Sequence, residues 1–200
     1  MILDLPAANA LTIVIVEHDK DRALSIVDSL RETGPHKIHV LAEESGLSRS
    51  VSQLKPDVVL IDVANPSRDS IEQLATASSP LERPVAFFVD RSDAQMTKAA
   101  IEAGVSAYVV DGLQMDRIKP VMDAAIARFQ MFQRMRTELE TTKRALEERK
   151  VIDRAKGLLM KVRGISEEEA YALLRKTAMD QGKRVADVAQ ALVTAADLLS

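Results

Sequence analysis

The sequence has no cysteine and no tryptophan, and aromatic residues make up only 3% of its 200 positions. Without thiols the chain has no disulfide, no thiolate metal centre and no cysteine nucleophile. A reducing, cytoplasmic setting is the expectation. The three histidines, His18, His36 and His39, fall in no ligand or nucleophile spacing, so no metal, no cofactor and no enzymatic reaction are expected. Long apolar runs are missing too. They break at a charge well short of the ~20 residues that a membrane helix needs, and the start, MILDLPAANALTIVIVEHD, lacks the basic and sustained apolar regions of an export signal. No membrane contact is expected.

What is present is unevenly distributed. The net charge of −3 conceals 10 basic and 17 acidic side chains over residues 1–115, against 17 and 13 over residues 116–200. Only the second part is electrostatically suited to a polyanion. From Arg149 onward 10 basic side chains meet 7 acidic ones, so placement of charge must matter more than bulk attraction.

Four β-branched apolar runs, LTIVIV (11–16), DVVLID (57–62), PVAFFVD (84–90) and SAYVVD (106–111), recur in the first part. Such runs suit strands buried on both faces. IHVLAE at 38–43 supplies another strand, and DRALSIVDSLRE and DAQMTKAAIEAG carry helical spacing. This alternation predicts right-handed crossovers onto a parallel sheet, with ligands gathering at the carboxyl ends of the strands. Those ends carry Glu17, His18 and Asp19, then Asp62, Asp90 and Asp111.

The order of these strands and their terminal residues resembles the receiver domain of bacterial response regulators, a flavodoxin-like α/β fold. The resemblance places the phosphoacceptor on Asp62, with IVIVEHD as the first strand and its acidic pair. An active receiver also needs two acids for a divalent cation, a hydroxyl after the fourth strand and a lysine after the fifth. Here those places hold Glu17 and His18, then Val89, then Asp111. A carboxylate where a cation should be repels a phosphoryl group. The expectation is a degenerate acidic pocket of Glu17, His18 and Asp111 in which Asp62 is not used for phosphotransfer. The alternative is a regulator switched by phosphorylation at Asp62.

From Asp116 to Lys150 there is one early proline, Pro120, and no glycine, which predicts a long helix with Pro120 in its first turn. Phe132, Met135, Leu139, Thr142, Leu146 and Arg149 recur at spacings of three and four, a heptad-type seam that decays toward its end. It serves either a homodimer or a solvated spacer.

The tail, Val151 to Leu199, reads as three short amphipathic helices. On the first, Val151, Ile152, Ala155, Leu158, Leu159 and Val162 form one stripe, expected to be core. Gly164 ends it, and Ser166 with Glu169 forms a capping box for the second. That helix buries Ala170, Leu173, Leu174 and Ala178. The third buries Val185, Val188, Ala189, Leu192, Val193 and Ala196. Ala155, Gly157, Ala170 and Ala178 are assigned to close helix packing. Only Tyr171 is aromatic, which excludes an extensive base-stacking platform.

AKGLLM, EEEAYALLRKTAMDQ and VADVAQALV, in this order and spacing, resemble the ANTAR domain of RNA-binding antitermination regulators. With NPSRD after Asp62, AFFVD and GVSAYVVDGL, the chain is similar to nitrate- and nitrite-responsive antiterminators of the NasT family. The resemblance implies binding to paired hairpins of a leader mRNA, prevention of termination at a nitrate or nitrite assimilation operon, and release from an inhibitory NasS-like nitrate sensor when ligand is present. It divides the chain into a receiver-like domain (1–118), a coiled-coil-type helical linker (119–148) and an all-α ANTAR domain (149–200). The RNA-contact candidates are Lys156, Lys161, Arg163, Arg175, Lys176, Gln181, Lys183 and Arg184, because Lys and Arg hold phosphates and polar edges read loop bases. A DNA-binding regulator or a protein-binding adaptor are the competing readings; for the first, the capped helix after Gly164 matches a helix-turn-helix only superficially.

Overall fold

A computed structural model describes residues 10–42 and 46–199. It separates into two units, residues 1–133 and 134–200.

In the first unit, β1 (Thr12–Val16), α1 (Lys20–Thr33), β2 (Lys37–Leu41), α2 (Leu47–Leu54), β3 (Val58–Val63), α3 (Arg68–Ser78), β4 (Val85–Val89), α4 (Ala94–Glu102) and β5 (Ala107–Val110) alternate along the chain. The five strands form one parallel sheet in the order β2-β1-β3-β4-β5. The apolar run around 38–43 yields β2, with Glu43 outside the described residues.

Strand side chains alternate between two faces, and each face builds a core. Ile13, Ile15, Val58, Leu60, Ala86 and Phe88 pack with Ile26 and Leu30 of α1 and with Ile118, Met122 and Ala125 beyond β5. Val14, Val16, Val59, Ile61, Val85 and Phe87 pack with Leu47 and Val51 of α2, Ile71, Leu74 and Ala75 of α3, and Ala100 of α4. All five residues of β4 are buried, as a central strand covered on both sides requires. Helix starts are fixed by short polar side chains. Asp19 caps α1, Asp93 caps α4, and Ser67 forms a capping box with Ser70 on α3.

After β5 a single 3₁₀ turn, Met115–Arg117, leads into α5 (Ile118–Arg163), with Pro120 in its first turn. The expected linker and first tail helix are therefore one unbroken element: with no glycine or proline between Val121 and Lys156, nothing stops the helix at residue 148. Along it Phe132, Met135, Leu139 and Leu146 are all more than half exposed.

In the second unit the end of α5 packs with α6 (Glu167–Gln181) and α7 (Val185–Leu199). Gly164 and Gly182 both lie in the left-handed region, at φ 65° and 62°, and the Ser166–Glu169 capping box forms in both directions. The core is built from Ala155, Leu159, Ala170, Leu174, Ala189 and Val193. Two expectations need correction. Val162 is 80% exposed, because the helical stripe runs one turn past the cluster that covers Leu158 and Leu159. Gly157 packs against nothing: a Cβ there would have no neighbour within 4 Å. It opens onto a shallow groove of 730 Å³ also lined by Met160 and Tyr171.

Candidate functional site

The carboxyl ends of β1, β3 and β4 bring three acids together, and a cation fills the space between them. Arg22, in the first turn of α1, donates from Nε to Asp62 Oδ2 at 2.6 Å. The same nitrogen lies 3.4 Å from Glu17 Oε2, and Arg22 Nη2 lies 3.8 Å from Asp90 Oδ1. Local backbone geometry aims this side chain. Asp19 accepts the Arg22 N–H at 2.8 Å, and Glu17 Oε1 accepts the Asp19 N–H at 2.9 Å, so the β1–α1 turn is tied at both ends.

Glu17 and Asp62 are both buried, at 6% and 3% exposure, whereas Arg22 is a third exposed. Two buried carboxyl groups therefore share one guanidinium, leaving an excess negative charge in a poorly solvated place. Burial pushes the Asp62 carboxyl up to about 7, with the Glu17 carboxyl adding to the rise and Arg22 opposing it. Burial acts against the Arg22 charge, but Asp62, Glu17 and Asp90 together raise its pKa. Asp62 Oδ1 is buried without a hydrogen-bond partner.

Of the residues expected in the acidic pocket, Glu17 joins Asp62. His18 is exposed and Asp111, at φ 75°, is exposed; neither enters an ion pair among the described residues. Val89 is fully buried in β4. The nearest hydroxyl further on, Ser92, is engaged with Tyr108 Oη at 2.8 Å and Thr97 at 3.2 Å. Sequence reasoning placed Asp90 at a strand end but left it out of the acidic pocket, and it missed Arg22. The signal for Arg22 was its place three residues after a capping aspartate, in the turn that leaves an acid-rich sheet edge.

In the second unit the candidate RNA contacts divide by partnership. Lys156 Nζ is held by Asp153 at 2.6 Å and Glu167 at 2.7 Å, leaving its side chain 14% exposed. Its hydrogen bonds to Asp153 and then Glu167 raise its pKa. Arg184 bonds Asp187 at 2.7 Å and Glu148 at 2.8 Å, and these carboxylates, Asp187 first, raise it likewise. Both cations knit helices together. Lys161, Arg163, Arg175, Lys176 and Lys183 are exposed and enter no ion pair among the described residues. Gln181 and Tyr171 are also exposed.

A receiver-type sheet is followed by a compact helical unit with uncommitted cations, the two-part organisation of a response regulator. The ANTAR domain family matches residues 140–193. The transcriptional regulatory protein PdtaR of Mycobacterium tuberculosis is 30% identical over 192 residues, covering 92% of each chain. A nitrate regulatory protein of Klebsiella oxytoca is 47% identical over 62 residues, 31% of this chain and 16% of that protein. The signal receiver domain of a modulated diguanylate cyclase from Desulfovibrio desulfuricans G20 shares the fold at TM-score 0.50 and 18% identity, over 62% of this chain and 98% of that one. The chain belongs to the ANTAR-domain response regulators. This family is regulatory, and among the described residues no helix is long and apolar enough to cross a membrane.

Proposed function

We propose that this regulator binds hairpins of a nascent leader mRNA through its C-terminal unit and prevents transcription termination at a nitrate or nitrite assimilation operon. The observation that carries the reading is the set of five uncommitted cations, Lys161, Arg163, Arg175, Lys176 and Lys183, on a unit that matches the ANTAR family. Lys and Arg without carboxylate partners keep their full attraction for phosphate, and Gln181 supplies a polar edge for a loop base. Lys156 and Arg184 contribute by holding the helices that present these groups. The local likeness to a nitrate regulatory protein supports nitrate or nitrite as the signal.

In this reading the receiver works without phosphotransfer, because Arg22 already bonds Asp62 Oδ2 and the Asp62 side chain is buried beside Glu17. Control then falls to an inhibitory NasS-like sensor that releases the regulator when nitrate or nitrite binds it. The exposed apolar seam of α5, Phe132, Met135, Leu139 and Leu146, supports a homodimer that would engage two hairpins at once.

The test is a gel shift of the full chain with its own operon's leader RNA, a scrambled RNA and duplex promoter DNA at one fixed moderate salt concentration. Preference for the leader supports the reading; equal binding to scrambled RNA, or preference for the duplex, overturns it. Antitermination by Asp62→Asn at the wild-type level supports control without phosphotransfer. A large loss in that variant returns the switch to phosphorylation.

A further inference from the structure

Where β1, β3 and β4 end, three carboxylates converge on one guanidinium, and the loop after β5 reaches the same group. A Cβ on Gly112 would stand 2.6 Å from Asp90 Oδ1 and 3.3 Å from Arg22 Nη2. We propose that Arg22 is a built-in cation that closes the receiver pocket to divalent ions and seats the root of α5.

The first half of this inference follows from the donor set. A hard divalent cation takes oxygen ligands only, and magnesium needs at least one or two carboxylates free to face it, with water completing the shell. Here Asp62 Oδ2 and Glu17 Oε2 point to Arg22 Nε, and Glu17 Oε1 is spent on the Asp19 N–H. Asp62 Oδ1 remains buried and unpartnered. Among the described residues no group of three or more His, Cys, Asp or Glu is placed to hold a metal ion. An arginine does not lose its proton, so this cation is permanent and cannot diffuse away.

The second half follows from connectivity. Gly112 lies at φ 73° and is followed by the 3₁₀ turn that enters α5. Its missing Cβ is what lets the loop close onto Asp90 and Arg22. Helix α1 holds both ends of this path: Arg22 fills the pocket, and two turns on, Ser29 Oγ donates to the Met115 carbonyl at 3.1 Å. Ile26 and Leu30 of α1 share a buried cluster with Ile118 and Met122 at the start of α5. Packed groups of this kind shift together, so the position of Arg22 is registered at the root of α5.

The experiment compares the full chain with Arg22→Met and with Arg22→Met/Asp62→Asn, by thermal unfolding with and without excess MgCl2 and by amide hydrogen exchange. MgCl2 is expected to raise the midpoint of Arg22→Met above the shift seen in the wild type and in the double variant. Amides of residues 113–118 are expected to exchange faster in Arg22→Met. An equal Mg2+ shift in all three proteins, or unchanged exchange at 113–118, overturns the proposal. If Arg22→Met fails to fold, Gly112→Ala tests the same contact. Its Cβ would crowd the ends of the Asp90 and Arg22 side chains and strain a backbone held at φ 73°, so exchange at 113–118 accelerates, and wild-type protection there overturns the proposal.

Discussion

Replacing Arg175 and Lys176 together by glutamine separates phosphate-facing cations from those that hold the fold. Both lie on the exposed surface of α6, and neither enters an ion pair among the described residues. Glutamine keeps helix propensity, so stability should be unchanged. Each phosphate neutralised on a single strand contributes about 0.7 to the salt slope, so at about 0.15 M salt one lost contact weakens binding about fourfold and two about fifteenfold. The double variant should therefore bind leader RNA about fifteenfold more weakly, with the slope of log affinity against log salt reduced by about 1.4. Lys156→Gln should do the opposite. It leaves Asp153 and Glu167 facing each other without their shared cation, so the unit melts at lower temperature while the salt slope stays near the wild type. Fluorescence anisotropy across a salt series and thermal melts provide both readouts. Wild-type affinity and slope in the double variant would refute the division of cations by partnership.

Asp62, pushed up to about 7 by burial, holds a proton in the folded chain that the unfolded chain gives up near pH 4. Its contribution to stability is complete in acid and is lost as pH rises through about 7. Urea midpoints should therefore fall between pH 5 and 8, less so in Asp62→Asn, and identical profiles would contradict this origin. Leu174→Ala removes a side chain that is 3% exposed from a small core and should cost about 2–5 kcal/mol, enough to melt the second unit. A loss under about 1 kcal/mol in urea unfolding would show that this core can collapse around the gap. If the α5 seam pairs two copies, Met135→Glu with Leu139→Glu should lower the mass seen by light scattering from dimer to monomer; a mass unaltered from a wild-type dimer would exclude the seam.

The strands were legible because a parallel sheet covered on both faces demands uninterrupted β-branched runs, and the chain has few others. The first helix ends of the second unit were equally legible: Gly164, Ser166 and Glu169 act through the backbone of their own turn. What escaped involves reach. Arg22 lies in an ordinary amphipathic helix, and only the fold shows that its long side chain extends to residues 40 and 68 positions away. Lys156 and Arg184 each have one partner three residues away, Asp153 and Asp187, but the second partners that tie them across helices, Glu167 and Glu148, lie 11 and 36 residues distant. Val162 matched the periodicity of the core stripe, but periodicity does not tell where the neighbouring helices stop.

Half of the ten basic side chains from Arg149 onward are committed to carboxylates: Arg149, Lys150, Arg154, Lys156 and Arg184. On the proposed function, a reader so sparingly charged would let go of most transcripts soon after meeting them, since indiscriminate adhesion scales with the number of phosphates neutralised. Among an excess of other RNA, such brief encounters would leave the regulator free to search. Dwell time on the proposed leader would then come from the shape of its loops rather than from charge.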